Sequence, residues 1–271
     1  MSQSYQLFFA KEDPVTEERP DLHLPPGRSP VGKQPFRFHC HPGVRCYLSC
    51  CRNVDLLLFP YDILRLKHCL KMDASTFLHR HTTLCQGSHP FFPGLKLQLA
   101  DGNPPACPFL GETGCTVYPD RPSACRTYPL ERGVEQPGPG KPLRAHYFLT
   151  HHPYCKGHEE AHTYTLRQWE REQDLSEFNL YNDLWAELDA FFATNPWAGE
   201  GKAGPYQQLA FLVCYNIDGF RAYANEHRLL SAFRLDKAER QRIERDDGHL
   251  LRFGFQWLEM ILGGRRNLIP R

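Results

Sequence analysis

The chain has 271 residues, with 32 Lys or Arg against 31 Asp or Glu and a formal net charge of +1. A balance this close to zero supports neither a nucleic-acid partner nor an anionic membrane surface, and no apolar run approaches the roughly 18 residues of a membrane span. The length is enough to bury a core without covalent staples, so the eleven cysteines are not required as disulfides, and their odd number forbids complete internal pairing. The first twenty residues show no basic stretch followed by an apolar one, so no secretory signal is expected. The expectation is a cytoplasmic protein, where clustered thiols serve as metal ligands or redox groups.

In chain order, residues 1–35 are polar and Pro-rich and read as an irregular leader. "PYDILRLKHCLK" predicts a short helix opened by Pro60, with Ile63, Leu64, Leu66 and Leu70 on its apolar side. Asp73 is an N-cap for a second helix through "ASTFLHRH". "LKLQLA" (95–100) alternates as a strand does, and "GCTVY" (114–118) is expected to pair with it or with "HYFL" (146–149). Arg121-Pro122 opens a helical turn that is expected to point Cys125 inward, and "EQPGPGKP" is a loop. Beyond residue 160 the texture changes. "LYNDLWAELDAFF", "YQQLAFLVCYNIDGFRAYA", "RLDKAERQRIER" and "HLLRFGFQWLEMIL" each carry helical spacing. The fold class expected is α+β and mainly helical. A Cys-rich metal-binding module with a small β-sheet spans 36–160, and a helical module spans 161–271.

Eight cysteines lie in turn-like Pro, Gly and aromatic settings where loops converge on an ion: Cys40, Cys46, Cys50, Cys51, Cys107, Cys115, Cys125 and Cys155. Cys69, Cys85 and Cys214 read instead as small hydrophobes. Structural zinc takes four thiolates in a tetrahedron, and a 4Fe–4S cluster also takes four. Eight ligands therefore suit two sites, or one site with spare thiols. Cys46 and Cys50 would share one helix face, while the side chains of Cys50 and Cys51 would diverge. Arg45, Arg52, Arg121, Arg126 and Lys156 stand near these thiols and would offset thiolate charge. Tyr118 and Tyr128 would flank the site beside Arg121 and Arg126, as packing or as donors to sulfur.

"FHCHPGVRCYLSCCRNVDLLLFPYDILRLK" and "CPFLGETGCTVYPDRPSACRTYPL" resemble the CxxCxxCC, or YkgJ-like, family, grouped by a proposed zinc- or iron-chelating role. The resemblance covers about residues 36–160 and includes Cys155 in "YCKG". Its first block departs from the short family form: five residues separate Cys40 from Cys46 and three separate Cys46 from Cys50. This spacing resembles the branch that includes flagellin lysine N-methylases. That branch implies an iron–sulfur cluster and S-adenosylmethionine-dependent methyl transfer to a protein substrate. The Trp that often follows its Cys pair is replaced here by "CCRNVDLLLFPYD", and the helical half matches no part of that methylase.

With eight cysteines available, histidine ligands are unnecessary. His39 and His41, which bracket Cys40, and His151, His152 and His158 read as surface or packing residues. "HEEAH" (158–162) fits the HExxH pattern of zinc hydrolases, with Glu172 or Glu177 available as a third ligand. The function expected is a metal-binding protein, holding zinc or an iron–sulfur cluster, in a redox or enzymatic role. The alternatives are a structural metal module that binds a protein partner, and a methyltransferase.

Overall fold

The computed structural model describes residues 27–52, 54–138, 141–265 and 267–271. Its strands are β1 (Arg28–Pro30), β2 (Phe36–Arg37), β3 (Leu57–Leu58), β4 (Thr82–Gln86), β5 (Pro93–Leu97), β6 (Leu130–Glu135), β7 (Arg144–Thr150) and β8 (Thr163–Tyr164). Its helices are α1 (Pro60–Cys69), α2 (Ala74–His81), α3 (Ser123–Thr127), α4 (Leu166–Glu172), α5 (Leu175–Phe192), α6 (Pro205–Tyr215), α7 (Ile217–Glu226), α8 (Lys237–Arg245) and α9 (Asp247–Ile261). The fold is α+β, as the patterning predicts. No helix among the described residues is long and apolar enough to cross a membrane. The chain divides into two compact units, each made from two stretches of sequence.

The first unit takes residues up to 52 and then 124–176. β1, β7 and β6 form an antiparallel sheet in that order, and β2 pairs with β8. Phe36 and Phe38 point inward while Arg37 between them is exposed, the period-2 alternation of a half-buried strand. Together with Leu130, Tyr147, Tyr164, Trp169 and Leu175 they make the unit's core. Trp169 is locked there by a 2.9 Å bond from its indole N–H to the Thr127 carbonyl. α4 presents that Trp from a capping box in which Thr165 and Gln168 satisfy each other's backbone amides. Of the expected leader, residues 1–26 lie outside the described residues, and β1 gives its last part regular structure.

The second unit takes 54–123 and 177–271. α1 and α2 form where the sequence places them, with Asp62 accepting from the Phe59 amide and Asp73 from the Thr76 amide. β3, β5 and β4 make an antiparallel sheet in which Leu84 sits opposite Leu95. Phe92, Trp185, Phe192, Trp197 and Tyr215 fill an aromatic core. Two expectations are corrected. "GCTVY" pairs with neither strand: Cys115 bridges Leu110 instead, because the 111–114 turn folds the segment back on itself. The long helix expected over 206–224 is two. Asn216 breaks it by leaving helical geometry and capping α7 through the Gly219 amide.

Candidate metal centre

The first cysteine block is built from successive tight turns rather than from an α-helix. Amides 44, 47, 49, 51 and 52 each bond the carbonyl three residues back, and only Ser49–Cys51 forms a short 3₁₀ helix. Leu48 enters it from the left-handed region at φ 64°. This tightness overturns the divergence expected of the adjacent pair. The Cys51 side chain hydrogen-bonds the Cys50 sulfur. With help from the Cys50 backbone amide and against the effect of burial, it holds the Cys50 thiol down at about 7.

Cys155 arrives from the other part of the unit. It follows β7 through a turn closed by its own amide on the His152 carbonyl. The next amide, that of Lys156, donates to the Cys46 sulfur at 3.0 Å. Cys40, Cys46, Cys50 and Cys155 then share one electrostatic neighbourhood. Desolvation by the surrounding chain, followed by the Cys50, Cys46 and Cys155 sulfurs, pushes the Cys40 thiol up to about 11. Burial, the Cys155 sulfur and, more weakly, Cys50 raise the Tyr128 hydroxyl. Partial burial and then the charges of Cys50, Cys155, Cys46 and Cys51 raise Tyr154 to about 12. Cys40, Cys46, Cys50 and Cys155 are free thiols, with Cys40 and Cys50 open to solvent.

The remaining expected ligands are placed differently. Cys125, also in the first unit, lies exposed on α3, which corrects the inward orientation expected of it. The adjacent Arg126 turns inward instead, since neighbours on a helix point about 100° apart, and donates to the Gln173 carbonyl at 2.6 Å. Cys107 and Cys115 belong to the second unit. There Cys115 adjoins Cys69, whose thiol is raised by burial, then by Asp120 and Cys115. Sequence reasoning set Cys69 aside as a packing residue; its spacing of four residues from Arg65 on α1 was the one available sign of a polar setting. Arg121 stacks on the Tyr118 ring at 3.9 Å and bonds the Tyr118 carbonyl. Tyr128 packs edge-on against Phe38 and stacks with His152.

"HEEAH" does not form the helix that HExxH chemistry requires. Gly157–Glu159 is a single 3₁₀ turn and Thr163–Tyr164 is strand. Without 3.6-residue periodicity, i and i+4 no longer share a face. His158 packs instead against Phe38 and His151, and burial lowers its pKa.

A set of thiols gathered by turns, one of them bonded by a backbone N–H, defines a thiolate-rich metal-binding module. Residues 39–156 match the model of the CxxCxxCC family, described as a "putative zinc- or iron-chelating domain". The match takes in both cysteine blocks through Cys155 and covers less than half of the 271 residues. Comparison with curated proteins and with solved structures finds no match.

Proposed function

We propose that Cys40, Cys46, Cys50 and Cys155 hold an iron–sulfur cluster as four thiolates and that the cluster serves a redox or enzymatic role. The observation that carries this reading is the bond from the Lys156 amide to the Cys46 sulfur at 3.0 Å. It joins the early cysteine block to the late one and marks Cys46 as an acceptor of the kind a thiolate provides. Spacing favours a cluster over one ion. A tetrahedral zinc with bonds of ≈ 2.3 Å draws its sulfurs to about 3.8 Å of one another. Among the described residues, no three cysteine sulfurs lie within 4.8 Å of one another, a looser grouping than the sulfurs around one zinc.

Bound there, a cluster supplies one-electron transfer. The chain's residues tune it. The Lys156 N–H favours the more negative, reduced state and raises the potential. Tyr128 and Cys155 pack against the core that contains Phe38, and the exposed Cys40 and Cys50 leave a route for an electron partner or a substrate. Cys40, with its thiol at about 11, gives up its proton only when metal replaces it.

Anaerobic purification of the full chain tests this. Brown protein with iron and acid-labile sulfide in equal amounts is expected. Cys46→Ser and Cys155→Ser should each lose the colour while keeping the wild-type circular dichroism, and Cys85→Ser should keep both. Colourless protein carrying stoichiometric zinc would overturn the cluster.

A further inference from the structure

We propose that His39, His41 and Glu160 form a second metal site, for a divalent first-row transition ion of the zinc or iron(II) class. Its donors are two imidazoles and one carboxylate, all in the first unit, and it does not depend on the cysteine reading. One ligand atom from each residue lies within 4.8 Å of the other two. His41 Nε2 is 3.4 Å from Glu160 Oε2, and the His39 and His41 rings are 4.6 Å apart.

The backbone imposes this convergence. β2 and β8 pair with Phe36 opposite Tyr164 and Arg37 opposite Thr163. The ladder continues from the Phe38 amide to the His162 carbonyl at 3.0 Å, and the His39 amide then bonds the Gly157 carbonyl at 2.9 Å. Residues 39–41 therefore run alongside 157–162. The Arg37 guanidinium fixes that opposite segment through the Glu160 and Glu159 carbonyls, at 3.2 and 3.4 Å. On the near side, His41 opens a turn closed by the Val44 amide on its carbonyl, with its ring beside that of His39.

Three features separate this cluster from an ordinary surface contact. The two adjacent carboxylates are sorted. Glu159 takes the cations Lys156 and Arg45, at 2.9 and 3.9 Å, whereas the ion-pair partner of Glu160 among the described residues is His41. The His41–Glu160 separation is longer than the 2.7–2.9 Å of a charge-assisted hydrogen bond. An ion with bonds of ≈ 2.0–2.2 Å to nitrogen and oxygen would draw the three donors together to roughly 3.0–3.5 Å. His41 and Glu160 are also little more than a third exposed, which leaves them ordered yet reachable.

In the metal-free state the Gly43 amide donates to His41 Nδ1 at 3.2 Å, so Nε2 carries the ring proton and faces the carboxylate. Ion entry takes that nitrogen's lone pair and moves the ring proton to Nδ1, at the cost of one long hydrogen bond. Two imidazoles and a carboxylate leave positions open for water or substrate, as in catalytic rather than closed structural sites. His162, whose ring is 5.3 Å from that of His39, stands behind the site.

The test is titration of tag-free full-length protein with cobalt(II), whose spectrum separates thiolate ligands from nitrogen and oxygen ligands. One equivalent is expected to bind without a sulfur-to-metal charge-transfer band. His41→Ala and Glu160→Gln should each weaken it by more than about tenfold, the loss that removing even an outer partner causes. Cys46→Ser should leave it intact. A thiolate band would report the separate cysteine set; the absence of any equivalent free of such a band, or binding unchanged in both His41→Ala and Glu160→Gln, would overturn the proposal. His39→Ala, at an exposed residue, replaces either variant that fails to fold.

Discussion

Lys67 offers the sharpest test of how the second unit is held together. Its side chain is only 6% exposed, and its ammonium lies 2.8 and 3.0 Å from the Asp218 oxygens and 3.1 Å from Asp247. The residues come from α1, α7 and α9, and Asp218 also accepts the Ala74 amide at the start of α2, so one cation ties four helices. Lys67→Met keeps most of the stem's volume and removes the charge. Breaking a buried pair from one side costs about 3–5 kcal/mol. Asp218 is 39% exposed and Asp247 keeps Arg221 and His68, at 2.6 and 2.7 Å, so the lower end, about 3 kcal/mol, is expected. Chemical denaturation at pH 7 measures it. The pH dependence gives a second reading. Burial pushes the Asp247 carboxyl up, but Arg221, His68 and Lys67 outweigh it and hold it at about 2 against the ordinary 3.8. A lowered carboxyl contributes stability above its unfolded value, here about 2 kcal/mol, and loses it as pH falls through the folded value. In Lys67→Met the folded value moves back toward 3.8, so this contribution should be smaller and its loss complete at a higher pH. A destabilisation below about 1 kcal/mol, within reach of ordinary surface changes, with an unchanged acid limb, would refute the reasoning.

Two further outcomes follow from single contacts. Asp62 is fully buried and accepts the Ser123 amide at 2.7 Å, the Ser123 hydroxyl at 3.1 Å and the Phe59 amide at 3.0 Å. Asp62→Ala should destabilise by roughly 3 kcal/mol in urea unfolding, from several stranded donors at about 1–3 kcal/mol each, and Asp62→Asn should recover part of it. Gly157 has no room for a side chain: a Cβ there would lie 2.7 Å from the Phe38 ring and 3.0 Å from the His39 carbonyl. Gly157→Ala should cost about 1–3 kcal/mol by overpacking and weaken cobalt binding at His39, His41 and Glu160; a variant with wild-type melting and binding would contradict that placement.

Much of the local structure was legible because its causes are local. Pro60 and Asp73 start α1 and α2, and the apolar spacing of 180–192 marks α5, since caps and periodicity act within a few residues. Breaks were harder. Asn216 interrupts an apolar run that reads as one helix, and only its bond to the Gly219 amide reveals the cap. The cysteine blocks were legible as ligand chemistry, because thiols clustered in turns have few other uses. Which thiols meet was not. The bond between Lys156 and Cys46 spans 110 residues, and no spacing rule reaches that far.

By itself, then, the sequence determined that this is a thiol-rich α+β protein of near-zero charge and where most of its helices begin. Those properties rest on composition and on interactions between near neighbours. Tertiary structure decided that the units interleave along the chain, that Cys50 and Cys51 interact rather than diverge, and that "HEEAH" is a short turn followed by irregular chain. It also decided that Glu160 of that motif faces His41. Each of these depends on strand register and turn geometry between distant segments, where a shift of one residue sends a side chain to the opposite face.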